Sequence, residues 1–125
     1  MAIGSGAGTG AGDVDSTVII GAQAAVGALT AAADRTVAIG ASSLAALTSG
    51  AGNVAVGYQT LVLNTIGQWN TAIGYKAMAS SVDGDKNTAI GYQALETMEV
   101  PDGDGSNTAI GYNSLNGITT GAKNT

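Results

Sequence analysis

The sequence predicts an all-β chain wound as a parallel β-solenoid, a β-roll of about 17 residues per turn. Three observations predict it. The phrase Asn-Thr-Ala-Ile-Gly-Tyr stands at 70–75, 87–92 and 107–112, with looser copies at 53–58, 36–41 and 17–22. The glycines at 4, 21, 40, 57, 74, 91 and 111 recur at spacings of 17, 19, 17, 17, 17 and 20 residues. The residue before each of them is Ile or Val: Ile3, Ile20, Ile39, Val56, Ile73, Ile90 and Ile110. A helical hairpin repeat takes roughly thirty residues or more, so this period suits one coil of strand, bend, short strand and loop. Strands stacked about 4.8 Å apart would make a rod roughly 29 Å long.

Each column of the repeat has a physical reading. β-Branched Ile and Val favour extended chain and stack into an apolar ladder. The position before them is Ala, except Ile19, so that side is small. The glycine allows a bend or a close backbone approach. All four tyrosines, Tyr58, Tyr75, Tyr92 and Tyr112, come directly after it. A second apolar column, Leu44, Leu61, Met78, Leu95 and Leu115, with Ala25 in the same place, lies four residues after the glycine. Strand parity sets Thr71, Ile73 and Tyr75 on one side and Ala72 and Gly74 on the other if the strand stays regular past the glycine, without saying which side meets the lumen.

Taken in order, residues 1–15 read as an arm with a first partial turn, because Gly4, Gly6, Gly8, Gly10 and Gly12 alternate with Ser, Ala and Thr. Strict alternation lacks the spacing of a dinucleotide fingerprint, so a flexible tether is expected. Residues 16–120 hold the solenoid repeats. The Ala-rich 23–33 and 42–46 have helical propensity, yet Ala25 and Leu44 stay in register with Leu95, and register decides for the coil. The loop from Glu96 to Ser106 carries the only proline, Pro101, and should bulge from the rod. Asp102 and Asp104 in that loop look like the start of a calcium site, but the twelfth position is Asn113 rather than Glu. Plain acidic turns are the reading preferred there. Residues 121–125 open a repeat that does not finish: Lys123-Asn124-Thr125 matches Lys86-Asn87-Thr88.

Composition restricts function. The 125 residues carry a net charge of −5, 20 glycines, one Trp, and no Phe, Cys or His. An acidic chain with four basic residues is a poor nucleic-acid binder, and no apolar run reaches membrane-spanning length. Met1–Gly12 lacks the basic start and apolar middle of a leader. With no His or Cys, and with carboxylates confined to loops of unequal length, catalysis is not expected, and no cofactor site is read. So thin a rod buries little apolar area against its chain entropy, so self-association is expected. Its lateral contacts should come from Ile73, Ile90 and Ile110, the column Tyr58, Tyr75, Tyr92 and Tyr112, and Trp69. A sugar platform is the less favoured role for the aromatics. Ala2-Ile3 at one end and Asn124-Thr125 at the other could complete a turn between subunits, a heterologous contact that propagates as a fibre; a cut from a longer repeat protein explains them equally.

The string Asn-Thr-Ala-Ile-Gly-Tyr-x-Ala-Leu, clearest at Asn87–Leu95, resembles the repeats of phage tail-fibre and related virion proteins. More loosely it is similar to Ala-Ile-Gly repeats in the head domains of trimeric autotransporter adhesins. The likeness covers about residues 17–115. It implies a homotrimeric roll, intertwined or side by side, on a virion exterior or outside the cell. Stalk, anchor and self-cleaving chaperone segments are not seen in these residues, which favours a tail-fibre segment or capsid decoration. Other virion proteins or a host-surface glycan are the further partners the resemblance implies. An adhesin module is the alternative role, and a self-assembling extracellular fibre the third.

Overall fold

A computed structural model describes residues 1–98, 103–118 and 121–125. Among the described residues the chain is all-β with a single 3-10 turn at Ala31–Ala33. Seven strands form one parallel sheet: β1 (Ala2–Ile3), β2 (Val18–Ile20), β3 (Val37–Ile39), β4 (Val54–Val56), β5 (Thr71–Ile73), β7 (Thr88–Ile90) and β9 (Thr108–Ile110). A second, two-stranded sheet pairs β6 (Gly84–Asp85) with β8 (Gly103–Asp104). In the large sheet every neighbour is the next lap of the chain, which is the topology of a β-solenoid. Ala55 lies opposite Ala72 and Ala72 opposite Ala89, so those laps take 17 residues. Val18 lies opposite Val37 and Thr88 opposite Thr108, laps of 19 and 20 residues in the same register.

Small residues go inside. Ile19, Ala38, Ala55, Ala72, Ala89 and Ala109 are buried, and so are Leu44, Leu61, Met78 and Leu95 across the lumen. Ala against Leu is what so short a lap can enclose. The Ile/Val column beside the glycines therefore faces out, with Ile73 and Ile110 exposed and Ile20, Ile39, Val56 and Ile90 half-buried. The parity expected for Thr71 and Ile73 against Ala72 holds, and the lumen side is the alanine side; the strand does not stay regular past Gly74, so Tyr75 stands beyond a bend instead of in strand alternation.

Why the strands stop after three residues is visible at Gly74. Its φ is +132, and a Cβ there would sit 2.3 Å from the carbonyl oxygen of Gly91. Both the angle and the contact exclude a side chain. Beyond the bend the ladder continues with left-handed φ at alternate residues, such as Lys76 (53) and Met78 (52). The Lys76 N–H donates back to Tyr58 O and the Met78 N–H forward to Ala94 O. Successive laps thus stay hydrogen-bonded outside the regular strands.

One expectation is corrected here. The stretch read as a flexible tether is wound as a lap: β1 pairs with β2, the Gly8 N–H donates to Ala24 O and the Gly12 N–H to Leu29 O. Its glycines are there for contact, since a Cβ at Gly10 would meet Gly27 O at 2.2 Å. The Ala-rich 23–33 likewise stays in the coil, with Ala24, Ala25 and Ala33 buried.

An asparagine ladder ties one corner. Asn53, Asn70, Asn87 and Asn107 are fully buried. Asn70 Nδ2 donates to Asn53 Oδ1 (3.1 Å) and to Gly84 O (2.7 Å), while Asn70 Oδ1 accepts from the N–H and Nδ2 of Asn87. Asn124 adds a rung, its N–H and Nδ2 both 2.9 Å from Asn107 Oδ1. Each amide closes its own lap and bonds its neighbour, so buried polar groups are satisfied in series.

Candidate assembly face

The outer surface of the large sheet is an extended apolar face; Leu63, Ile66 and Val82 are exposed elsewhere on the rod. It has two columns of outward β-branched side chains, separated along the three-residue strands by an inward Ala, or by Ile19 in β2. Val18, Val37, Val54, Thr71, Thr88 and Thr108 form the first, all half-buried. The Ile/Val residues before the glycines form the second. Sequence alternation produces both, because side chains of one strand point to opposite faces in turn.

Past the glycine bend stands the tyrosine column. Tyr58, Tyr75, Tyr92 and Tyr112 stack face to face, centroids 5.4, 5.0 and 5.2 Å apart and planes within 17° of parallel. They are exposed, Tyr112 most of all at 76%. Tyr75 and Tyr92 each have both ring faces covered by neighbouring tyrosines, so they offer the outside their edges and hydroxyls. Stacking on a sugar needs a free ring face, and the inner tyrosines have none to give.

On the opposite flank, just before the asparagine ladder, runs a column of left-handed residues: Arg35, Gly52, Trp69, Lys86, Ser106 and Lys123. It holds three of the four basic side chains, and Arg35, Lys86 and Lys123 are all exposed. Trp69 is 55% exposed, with its ring edge over Gly52 and Lys86 Nζ 5.8 Å from its centroid. It is laid along the rod instead of projecting as a platform.

The structure thus gathers Ile73, Ile90, Ile110 and the four tyrosines on one face and sets Trp69 at its border. It does not gather the end residues: Ala2 and Ile3 lie in β1, the first strand of the sheet, while Asn124 and Thr125 lie beyond β9, the last. Pro101 and Asp102 fall outside the described residues. Asp104 pairs with Asp85 through β8 and β6. Among the described residues, no three His, Cys, Asp or Glu side chains cluster to hold a metal. Among the described residues no helix is long and apolar enough to cross a membrane.

Two features lay in the sequence without a reading. The asparagine opening each phrase recurs in step with the glycines, and that period was the signal for its ladder. The basic column was equally available from Arg35, Lys86 and Lys123, each standing directly before a Thr or Asn-Thr. No known protein family, curated protein or solved structure matches the chain.

Proposed function

We propose that the chain is a non-enzymatic structural β-roll of an exterior assembly, a tail-fibre segment or capsid decoration on a virion, acting by self-association. Three copies stand side by side about an axis parallel to the rod, each turning its Val/Thr and Ile/Val face toward the others. The observation that carries this reading is that the strands turn β-branched side chains outward, with Ile73 and Ile110 exposed, while Ala55, Ala72, Ala89 and Ala109 face the Leu and Met side chains of the lumen. Outward Ile and Val side chains are withdrawn from water only when another surface covers them. The face measures roughly 29 Å by 10 Å from strand spacing and rise, about 290 Å² in plane. That is the size of the largest apolar patch on an ordinary monomer.

Specific support for a trimer comes from the likeness of the repeats to trimeric rolls. A host-surface glycan reading has one observation in its favour, the outer ring of Tyr112, with 76% of the residue exposed. The covered faces of Tyr75 and Tyr92 weigh against extending it along the column.

Light scattering on the purified chain tests the proposal. A particle of three times the 12.1 kDa chain mass is expected. Ile73→Lys, at an exposed position, should leave the circular dichroism unchanged and lower the mass to one chain. A folded monomer for the unaltered protein would overturn the reading.

A further inference from the structure

The two flanks of the apolar face differ in chemistry, and that difference specifies how copies meet. Resting on the reading that copies associate through this face, we infer that the tyrosine column of one copy packs against the Arg35–Trp69–Lys86 column of the next, lap by lap.

Geometry supplies the first step. In every lap the two columns stand six residues apart, one before the strand and one after its glycine, as with Lys86 and Tyr92. Rotating a copy about an axis parallel to the rod brings one border of a face to the opposite border of its neighbour, at the same height. Rotating it about an axis along the strands would instead set tyrosine column against tyrosine column, with the rods antiparallel. Only the first arrangement lets unlike columns meet.

Shape and charge favour that meeting. Where one flank is bulky the other is small: Arg35 shares its lap with Ala41, Gly52 with Tyr58, and Ser106 with Tyr112. At the two remaining laps bulk meets bulk in a form that attracts, Trp69 with Tyr75 and Lys86 with Tyr92. Aromatic edges meeting one another are favourable contacts, and the outward edges and hydroxyls of Tyr75 and Tyr92 are what the neighbour's Trp69 and Lys86 would meet. Tyrosine hydroxyls also accept hydrogen bonds from ammonium and guanidinium groups. Both columns repeat with the pitch of the same sheet, so one correct pairing aligns all the others.

The absence of cysteine from the sequence gives a clean test. The double variant Lys86→Cys/Tyr92→Cys is oxidised mildly and run on a non-reducing denaturing gel beside each single variant. Within one chain the two sites are held apart by an extended strand, well beyond the roughly 7 Å Cα limit of a disulfide. The expected result is a ladder ending at three chain masses for the double variant and no cross-link for either single one. A second pair, Trp69→Cys/Tyr75→Cys, guards against a local defect at Lys86. Cross-linking by Tyr92→Cys alone would show tyrosine columns facing each other and overturn the inference. So would a trimer by light scattering in which neither pair cross-links. A monomer by light scattering removes the underlying self-association reading instead, which keeps the two failures distinct.

Discussion

Replacing Gly74 with alanine probes the contact that holds laps together, and Gly111 provides its internal control. The two glycines share a place in the repeat and nearly the same backbone, φ +132 and +127. They differ in what lies above them. A Cβ on Gly74 would stand 2.3 Å from Gly91 O and 2.7 Å from Gly91 C, whereas one on Gly111 meets nothing within 4 Å. Both substitutions carry the strain of a non-glycine residue at positive φ, about 1–3 kcal/mol. Gly74→Ala must in addition push two backbones apart, which by analogy with overpacking costs about 1–3 kcal/mol more. The difference between the variants isolates the contact from the angle. At about 3–5 °C per kcal/mol for a chain of this size, Gly74→Ala should melt about 3–15 °C below Gly111→Ala. Thermal unfolding followed by circular dichroism at one fixed protein concentration reads this directly. Equal melting points would refute the claim that lap-to-lap backbone approach, separate from φ, makes this glycine column necessary.

Three further outcomes follow from the interior. Asn70→Asp keeps the shape but loses the Nδ2 donors to Asn53 and Gly84 and buries a charge; it should lower the urea midpoint by more than Asn70→Ala does, each lost buried partner costing about 1–3 kcal/mol. Burial raises the pKa of such a carboxyl above its unfolded value, so the deficit is full at neutral pH and shrinks on acidification, when a donor returns. Asn64 is fully buried with neither Nδ2 nor Oδ1 bonded, in a column with buried Leu47 and Met98, so Asn64→Leu should raise the melting point, by about 1–3 kcal/mol of stability; a lower melting point would indicate that the amide is satisfied by internal water. Ala72→Val adds two methyls to a filled lumen and should cost about 1–3 kcal/mol, while the outward Ile73→Val should leave the unfolding midpoint of the dissociated chain within about 0.5 kcal/mol.

Much of this architecture was written plainly in the chain. The recurrence of Ile-Gly identified the coil, and the positions of Ala25 and Leu44 kept the Ala-rich stretch within it. What the alternation left open was the lumen side, because Ala72 and Ile73 are both apolar and parity alone ranks neither. Size made that choice: a lap this short accommodates alanine opposite Leu61 and Met78. The first lap was misread for a related reason. Gly6, Gly8, Gly10 and Gly12 have the composition of a tether, but Gly10 lies 17 residues before Gly27, whose carbonyl it approaches. Composition describes freedom in the unfolded chain, and register describes what the folded chain does with it. The asparagine ladder escaped notice because Asn at the edge of a strand ordinarily reads as a turn residue. Its meaning emerges only when five of them align across laps. The Tyr112 edge and the Trp69–Lys86 pair depended on distances between laps that no single lap contains.

Laps of 17, 19 and 20 residues leave the sheet in one register, and this has a consequence for how such a molecule can change. In sequence the surplus of the longer laps falls between Ala25 and Thr36 and between Leu95 and Asn107, outside the runs that hold the Ile and Tyr columns. Insertions and deletions there alter one wall and leave the other untouched. The chain therefore separates what must be copied faithfully from what is free to diversify, and a lineage could remodel one side of the rod indefinitely without renegotiating how its copies meet.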